Sequence, residues 1–112
     1  MVKNSLILER GDIVWVDFSP TKGHEQSGLR PAVVISPANY NSFSGMILAC
    51  PMTSKHKGYS FEVPVEGPKG KSWVLADQIR TFDTKERIIK KTGKVSEIEI
   101  NEILARVTTL FQ

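Results

Sequence analysis

The sequence changes character within Gly23–Ile35, which reads GHEQSGLRPAVVI. Its first half is polar and ends in glycine, as is typical of a loop. From Pro31 onward the stretch is apolar and rich in β-branched residues, which predicts a buried strand that begins at the proline. Arg30 is then the last loop residue before a rigid element, and Glu25 is near enough in sequence to meet it across a turn. These two charges are candidates for chemistry, although a solvated surface ion pair is the alternative.

The rest of the chain predicts a mainly β fold. Apolar runs and two-residue periods predict strands at Asp12–Phe18, Pro31–Ser36, Gly45–Pro51, Tyr59–Val65 and Trp73–Ala76. Glycine and proline at 67–70 predict a turn, and residues 39–42 are turn-rich. Residues 83–91 are ambiguous between one helical turn and an irregular connection that carries basic side chains into solvent.

The C-terminal segment gives the clearest helix signal. Ser96 and Glu99 have the spacing of a capping box. Apolar residues then recur at helical spacing, at Ile100, Ile103, Leu104, Val107, Leu110 and Phe111. Strands closed by one terminal helix predict a small, strongly twisted, mainly antiparallel barrel.

Composition limits the classes of protein to consider. A chain of 112 residues, 40% of them hydrophobic, predicts one domain over residues 1–112. The formal net charge of +3 is compatible with an anionic partner. Cys50 is the only cysteine and lies in an apolar segment, which predicts a buried, inert thiol and suits a reducing cytoplasm. No stretch resembles a signal peptide or a membrane span, so we expect a cytoplasmic protein with no membrane partner.

Polar residues at the predicted strand ends carry the functional signal. The two histidines, His24 and His56, lie on separate loops, and no cluster has the spacing of metal ligands, so we expect neither a metal nor another cofactor. Glu25, Arg30, Thr53 and Gln78 lie at strand ends, with Lys55 and Lys57 nearby in sequence. RNA carries its own nucleophile, the 2′-hydroxyl, so a protein that cleaves it needs to take a proton, stabilise charge and align atoms.

Three of these residues suit those tasks. Glu25 would remove the 2′-hydroxyl proton, Arg30 would bind the phosphate oxygens with its forked guanidinium, and Thr53 would donate a hydrogen bond to the phosphate. His24 titrates near neutrality and is a possible proton donor, but a solvated histidine on a polar loop is the simpler interpretation. Arginine is too weak an acid to protonate the leaving group, which leaves that role unassigned.

Two longer motifs carry a family resemblance. Gly11–Gly23, GDIVWVDFSPTKG, is followed after one residue by Glu25–Val34, EQSGLRPAVV, and together they resemble the opening signature of the MazF/PemK-type toxins. Pro51-Met52-Thr53 and Ala76-Asp77-Gln78 resemble later landmarks of the same family. The resemblance extends over almost the whole chain.

The resemblance implies a toxin of a type II toxin-antitoxin system with an SH3-like barrel that forms a homodimer. Such a toxin is a metal-independent endoribonuclease that cleaves single-stranded RNA to 2′,3′-cyclic phosphate and 5′-hydroxyl ends and so inhibits translation and growth. A cognate antitoxin with an acidic, disordered tail is implied as partner. By resemblance, the catalytic positions fall on Glu25, Arg30 and Thr53. The RNA-binding positions fall on Phe18, Asn41, Lys57 and Gln78.

The RNA-binding positions also have structural interpretations. Phe18 shares a strand face with Val14 and Val16, so its ring belongs either to the core or to a surface that stacks on bases. Asn41 and Gln78 are equally suited to satisfying loop backbone, and Lys57 to being a solvated cation. Leu29 is larger and more apolar than the residue that some family members carry there, which affects local substrate preference. An adenine-and-cytosine trinucleotide such as ACA is the expected target by resemblance in the first loop.

Two other functions compete with RNA cleavage. A toxin class resembling this fold inhibits DNA gyrase without enzymatic activity and ends in Trp-Gly-Ile. The present chain ends in Leu110-Phe111-Gln112 and carries Arg30 and Thr53, which a gyrase inhibitor would not need. A barrel that binds nucleic acid without cutting it is the third possibility, and it would lose affinity only modestly on replacement of Arg30.

Overall fold

The computed structural model describes residues 7–18 and 28–112, with only the backbone of Ile89. The elements follow in chain order as β1 (Asp12–Asp17), β2 (Leu29–Val34), α1 (Ala38–Ser44), β3 (Met46–Thr53), β4 (Glu62–Gly67), β5 (Gly70–Leu75), β6 (Arg80–Asp83), β7 (Ile88–Lys94) and α2 (Glu97–Thr109).

The strands form one seven-stranded antiparallel sheet, in which six strands follow the order β4-β5-β3-β2-β1-β7 and β6 pairs with β3. Strand β3 holds the sheet together because it pairs with β2 along one edge and with two strands along the other. Met46–Ala49 of β3 pair with β6, while Met52 and Thr53 pair with β5. The sheet therefore divides along β3 and curls into a half-barrel, which confirms the predicted mainly β fold with a C-terminal helix.

The curled sheet buries apolar side chains on both of its faces. Alternation along β1 puts Ile13 in one cluster and Val14 and Val16 in the other. The first cluster lies under α2, whose Ile103 and Val107 are buried in it. Core packing thus fixes the buried parts of β1, β2 and β3, whereas Leu29 at the start of β2 is exposed and Thr53 at the end of β3 is half-buried.

The helix α2 begins as predicted but ends earlier. The Ser96 side chain accepts a hydrogen bond from the Glu99 backbone N at 3.1 Å, and Glu99 Oε1 accepts one from the Ser96 N at 2.8 Å. This confirms the capping box. Leu110 and Phe111 were expected on the apolar face, but they follow the last helical residue and are 42% and 78% exposed. No helix in the described ranges has the length and apolarity that crossing a membrane requires.

The structure corrects the sequence prediction in three other places. Residues 39–42 lie in the helix α1 rather than in a turn. Of the ambiguous residues 83–91, Asp83 ends β6, the Arg87 N–H donates to the Asp83 carbonyl oxygen at 2.9 Å and closes the one turn predicted there, and β7 begins at Ile88. The second strand begins at Leu29, so Arg30 lies within β2 and not at the end of a loop. Its backbone is held opposite Val16 of β1, which fixes the arginine more firmly than a loop position would.

Candidate functional site

The register between β2 and β3 brings Arg30 and Thr53 to the same place. Ala32 pairs with Pro51 and Val33 with Cys50. Continued by two residues, this register sets Arg30 across from Thr53, because antiparallel partners move in opposite directions along their strands. Both residues are half-buried and both line one cavity. The structure therefore joins two of the three residues predicted to act on RNA.

The cavity has a volume of about 310 Å³. It is lined by Trp15, Leu29, Arg30, Pro31, Met52, Thr53, Ser54, Pro68, Lys69 and Ser72. Among the described residues that line the cavity, Arg30 and Lys69 are the charged ones, and both are cations. None of these described lining residues carries a carboxylate. Such a lining favours an anionic ligand with an apolar part.

A buried carboxylate shapes the β3–β4 loop, residues 54–61, that leaves this cavity. Glu62 is only 1% exposed in its side chain and accepts hydrogen bonds from the backbone N of Gly58 at 2.8 Å and of Lys57 at 3.0 Å. His56 Nδ1 lies 2.8 Å from the same carboxylate. Burial acts to raise the pKa of Glu62, but these hydrogen bonds and the neighbouring His56 outweigh it and hold the pKa below its usual value.

The same loop is connected to Thr53 through two stacked rings. Trp73 of β5 pairs directly with Thr53 of β3. The His56 imidazole stacks on the Trp73 indole, with ring centroids 4.6 Å apart and an interplanar angle of 16°. The Thr53 hydroxyl itself accepts a hydrogen bond from the Lys55 backbone N at 3.1 Å. Contacts from Glu62 through His56 and Trp73 therefore hold the loop beside Thr53.

The remaining predicted residues are distributed unevenly around this site. Glu25 and His24 lie outside the described residues. Lys57 is exposed on the β3–β4 loop, and Gln78 is half-buried just after β5. The Tyr59 hydroxyl bridges the two segments by donating to Asp77 Oδ1 at 3.0 Å and interacting with Gln78. Neither Lys57 nor Gln78 is among the residues that line the cavity.

Phe18 and Asn41 are buried, so the structure gives them the packing roles left open above. Phe18 is 0% exposed and its ring packs edge-on against Phe82, with centroids 4.9 Å apart. Asn41 is 5% exposed and its amide donates to the backbone oxygens of Leu8 at 2.9 Å and Ser36 at 3.1 Å. Each side chain is enclosed by its own neighbours, and contact of either residue with RNA stays a prediction.

Two further predictions concern the Cys50 thiol and metal binding. Cys50 is fully buried, and burial, with the charge of Asp77, raises the pKa of its thiol to about 12. A thiol in that state is not a nucleophile. Within residues 7–18 and 28–112, no three side chains of histidine, cysteine, aspartate or glutamate lie close enough to hold a metal ion.

Sequence reasoning missed Trp15 and Lys69 as lining residues. Trp15 was assigned to a strand covered on both sides, yet it is half-buried and faces the cavity. Lys69 belongs to a predicted turn, but nothing in the sequence shows that the turn folds back over β1. Proximity of the β4–β5 turn to β1 depends on how the sheet curls, which no local pattern specifies.

Comparison with known proteins identifies the family. Residues 9–111 match the model of the PemK-like, MazF-like toxins of type II toxin-antitoxin systems. The chain belongs to this family. Its similarity to the endoribonuclease toxin MazF of Escherichia coli strain K12 is 45% identity over 102 residues, which covers 91% of this chain and 92% of that protein. Its identity to the Escherichia coli endoribonuclease PemK is 34% over 115 residues, covering 98% and 86%.

Solved structures of PemK/MazF-family toxins have the same fold. A crystal structure of MazF from Deinococcus radiodurans superposes with a TM-score of 0.87 at 38% identity, covering 96% of this chain and 98% of that one. A MazE-MazF crystal structure from the same organism superposes with a TM-score of 0.78 at 34% identity, covering 95% and 97%. The SH3-like barrel that the family resemblance implies is therefore confirmed.

Proposed function

We propose that this endoribonuclease toxin cleaves single-stranded RNA without a metal ion, by attack of the 2′-hydroxyl on the adjacent phosphate. The products would be a 2′,3′-cyclic phosphate and a 5′-hydroxyl end, and loss of messenger RNA would stop translation and growth. The observation that supports this most directly is the pairing of Arg30 and Thr53 in one cavity, where the charged groups among the described lining residues are the cations of Arg30 and Lys69.

The residues would divide the chemistry among them. The Arg30 guanidinium binds two phosphate oxygens and stabilises the charge that develops on them, and the Thr53 hydroxyl donates a hydrogen bond that orients the phosphate. Glu25 is proposed as the base that removes the 2′-hydroxyl proton, on the strength of the sequence motif. Lys57 and Gln78 are proposed to contact the flanking RNA, on the strength of the family resemblance.

Two partners belong to the same proposal. The chain would form a homodimer and would be silenced by an antitoxin whose acidic tail occupies the cationic surface that RNA also uses. A MazE-MazF complex among the similar structures supports the existence of an antitoxin partner. We propose that both proteins act in the cytoplasm, where a free, buried Cys50 is stable in its reduced form. Light scattering would detect the dimer as twice the 12.5 kDa chain mass.

The test is cleavage of a long single-stranded RNA by purified protein in EDTA, followed by mapping of the fragment ends. We expect discrete cuts with 5′-hydroxyl ends, and the mapped sites would show whether ACA is preferred. Arg30→Ala should lower the rate by about a hundredfold or more, because it removes a group that stabilises transition-state charge. Arg106→Ala is the matched control, since Arg106 lies on α2 in an ion pair with Glu102 and does not line the cavity.

Each other result would contradict a defined part of the proposal. Cuts that disappear in EDTA would contradict the metal-independent mechanism. RNA that stays intact would contradict the nuclease proposal, and gyrase inhibition would be assayed next. Equal losses in Arg30→Ala and Arg106→Ala would show that charge alone, and not the position of Arg30, determines the rate.

A further inference from the structure

The cavity has an aromatic wall that the chemistry proposed above does not use. Trp15 of β1 pairs with Pro31 of β2, and Asp17 pairs with Leu29. Because side chains alternate along a strand, Trp15, Leu29 and Pro31 lie on one face of the sheet. All three line the cavity, and Leu29 is 58% exposed. An indole and a leucine thus form an apolar part of the lining of the cavity that Arg30 and Thr53 also line.

The β4–β5 turn places a cation over that surface. Gly67 pairs with Gly70, and the two residues between them are Pro68 and Lys69, which both line the cavity. Gly70 has a φ of +110°, which favours glycine, and a Cβ on Gly67 would lie 2.6 Å from Ser72 Oγ. The turn is therefore tightly specified, and it holds Lys69 Nζ 5.6 Å from the centroid of the Trp15 ring.

Proteins that bind single-stranded nucleic acid combine aromatic rings with cationic side chains, as Trp15 and Lys69 do here. Bases stack on aromatic rings with little regard to sequence, and lysine neutralises the phosphate of the same strand. The cation–π contact of an exposed lysine is weak, so a base can replace the ammonium on the ring while the ammonium moves to the phosphate.

We propose that Trp15 and Lys69 form a nucleotide subsite next to the cleavage site. The Trp15 indole stacks on the base of a nucleotide that flanks the scissile phosphate, with Leu29 as the second apolar wall. Lys69 binds the phosphate of that nucleotide. This inference rests on the proposed RNA cleavage and adds two residues that position the strand without taking part in the reaction.

A second tryptophan–lysine pair, Trp73 and Lys71, lies within β5 and provides the control. Lys71 Nζ lies 6.0 Å from the centroid of Trp73, so its charge and geometry resemble those of Lys69 and Trp15. However, His56 already stacks on Trp73, and neither Lys71 nor Trp73 lines the cavity. The two pairs therefore differ in whether a base can reach the ring.

Tryptophan fluorescence tests the stacking directly. The chain has only these two tryptophans, so Trp73→Phe leaves Trp15 as the sole indole and Trp15→Phe leaves Trp73. The probe is a mixed-sequence single-stranded DNA oligonucleotide, which lacks the 2′-hydroxyl and is not cleaved, with saturation confirmed by anisotropy of a labelled copy. We expect saturable quenching of Trp15 and a much smaller change for Trp73. Unchanged Trp15 emission at saturation would overturn the proposal.

Binding measurements test the lysine and the ring separately. Trp15→Leu should weaken binding of the DNA about ten- to a hundredfold, and Trp15→Phe should recover much of that loss because it keeps a ring. Lys69→Ala should lower the slope of log Kd against log salt by about 0.7, the value for one phosphate contact on a single strand, and Lys71→Ala should change it less. Equal slopes for the two lysine variants would contradict the subsite.

The two proposals fail in different ways. If wild-type protein cuts RNA in EDTA but Trp15 does not respond to DNA, the subsite is absent and the nuclease proposal stands. If Trp15 responds and no RNA is cut, the subsite binds nucleic acid and the nuclease proposal fails. Circular dichroism and thermal melting of each variant separate a binding defect from unfolding, and Trp15→Phe preserves enough volume to fold.

Discussion

At the end of β1, the ring of Phe18 is enclosed by Phe82 and by the Arg80 side chain, whose guanidinium carbon lies 5.4 Å from the ring centroid. Arg80 also donates a hydrogen bond to the Phe18 carbonyl oxygen at 3.1 Å. We therefore expect Phe18→Ala to lower the free energy of unfolding by about 3–5 kcal/mol, the cost of a large cavity in a core. Urea denaturation measures this change, and the affinity of the folded fraction for single-stranded DNA should remain close to wild type.

Phe43→Ala is the control for the Phe18 variant, because Phe43 is 92% exposed and its loss should change stability by about 0.5 kcal/mol or less. If Phe18→Ala were as stable as wild type and bound DNA much more weakly, Phe18 would be a binding residue rather than a core residue. The outcome would then favour the stacking role that the family resemblance implies.

Single residues also show what the sequence can and cannot specify. Alternation along β1 correctly separates Ile13 from Val14 and Val16, but it does not reveal that Ile13 is covered while Trp15 on the same face borders a cavity. Likewise, the sequence predicts that Arg30 and Thr53 lie near strand ends, but it does not predict the register of β2 against β3 that sets them across from each other. Register and coverage depend on contacts between segments distant in the chain, which local periodicity does not contain.

The conformation of the β3–β4 loop, residues 54–61, depends on the Glu62 carboxylate. We expect Glu62→Gln to free the backbone N–H groups of Lys57 and Gly58, because an amide oxygen is a weaker acceptor than a carboxylate and its NH₂ group cannot accept at all. Hydrogen exchange of these two amides should accelerate by tenfold or more. RNA cleavage should fall moderately, since the loop would no longer be held beside Thr53.

The control for this loop is Glu66→Gln on the same strand, because Glu66 is exposed and its side chain is not part of the loop contacts. The pH dependence gives a second check. The pKa of Glu62 is lowered in the folded state, so its contribution to stability is present above about 4.5, the usual value, and is lost as the pH falls through the folded value. Unchanged exchange of Lys57 and Gly58 in Glu62→Gln would contradict the role assigned to this carboxylate.

The elements that the sequence predicted least well are those with the weakest local patterns. The helix α1 has seven residues and no side-chain cap, and it is held by Asn41, whose amide reaches the backbone of Leu8. The strand β7 contains three lysines and one glycine and pairs only with β1 at the sheet edge among the described strands. Tertiary pairing overrides propensity at both places, whereas α2 is predicted well because its cap and its apolar face are local.

For the whole molecule, the thiol of Cys50 should set how stability changes in alkaline solution. Burial raises its pKa to about 12 from 9.0, and the charge of Asp77 adds to this. A raised folded pKa means that the contribution to stability is complete below pH 9.0 and is lost as the pH rises toward 12, because only the unfolded chain releases the proton in that range. Each pH unit costs about 1.4 kcal/mol, so we expect a loss of about 2 kcal/mol by pH 10.5.

The measurement is the free energy of unfolding in urea between pH 7 and pH 10.5, for wild type and for Cys50→Ala under reducing conditions. The alanine variant should begin less stable, because it leaves a small cavity, but its stability should fall less steeply above pH 9. The Tyr59 hydroxyl, whose pKa burial and the hydrogen bond to Asp77 raise to about 12, titrates equally in both chains and cancels in the comparison. If the stability of wild type and of Cys50→Ala fell in parallel above pH 9, the Cys50 thiol would ionise within the folded core. A steeper wild-type curve would show that the core around Cys50 in β3 excludes the thiolate up to at least pH 10.5.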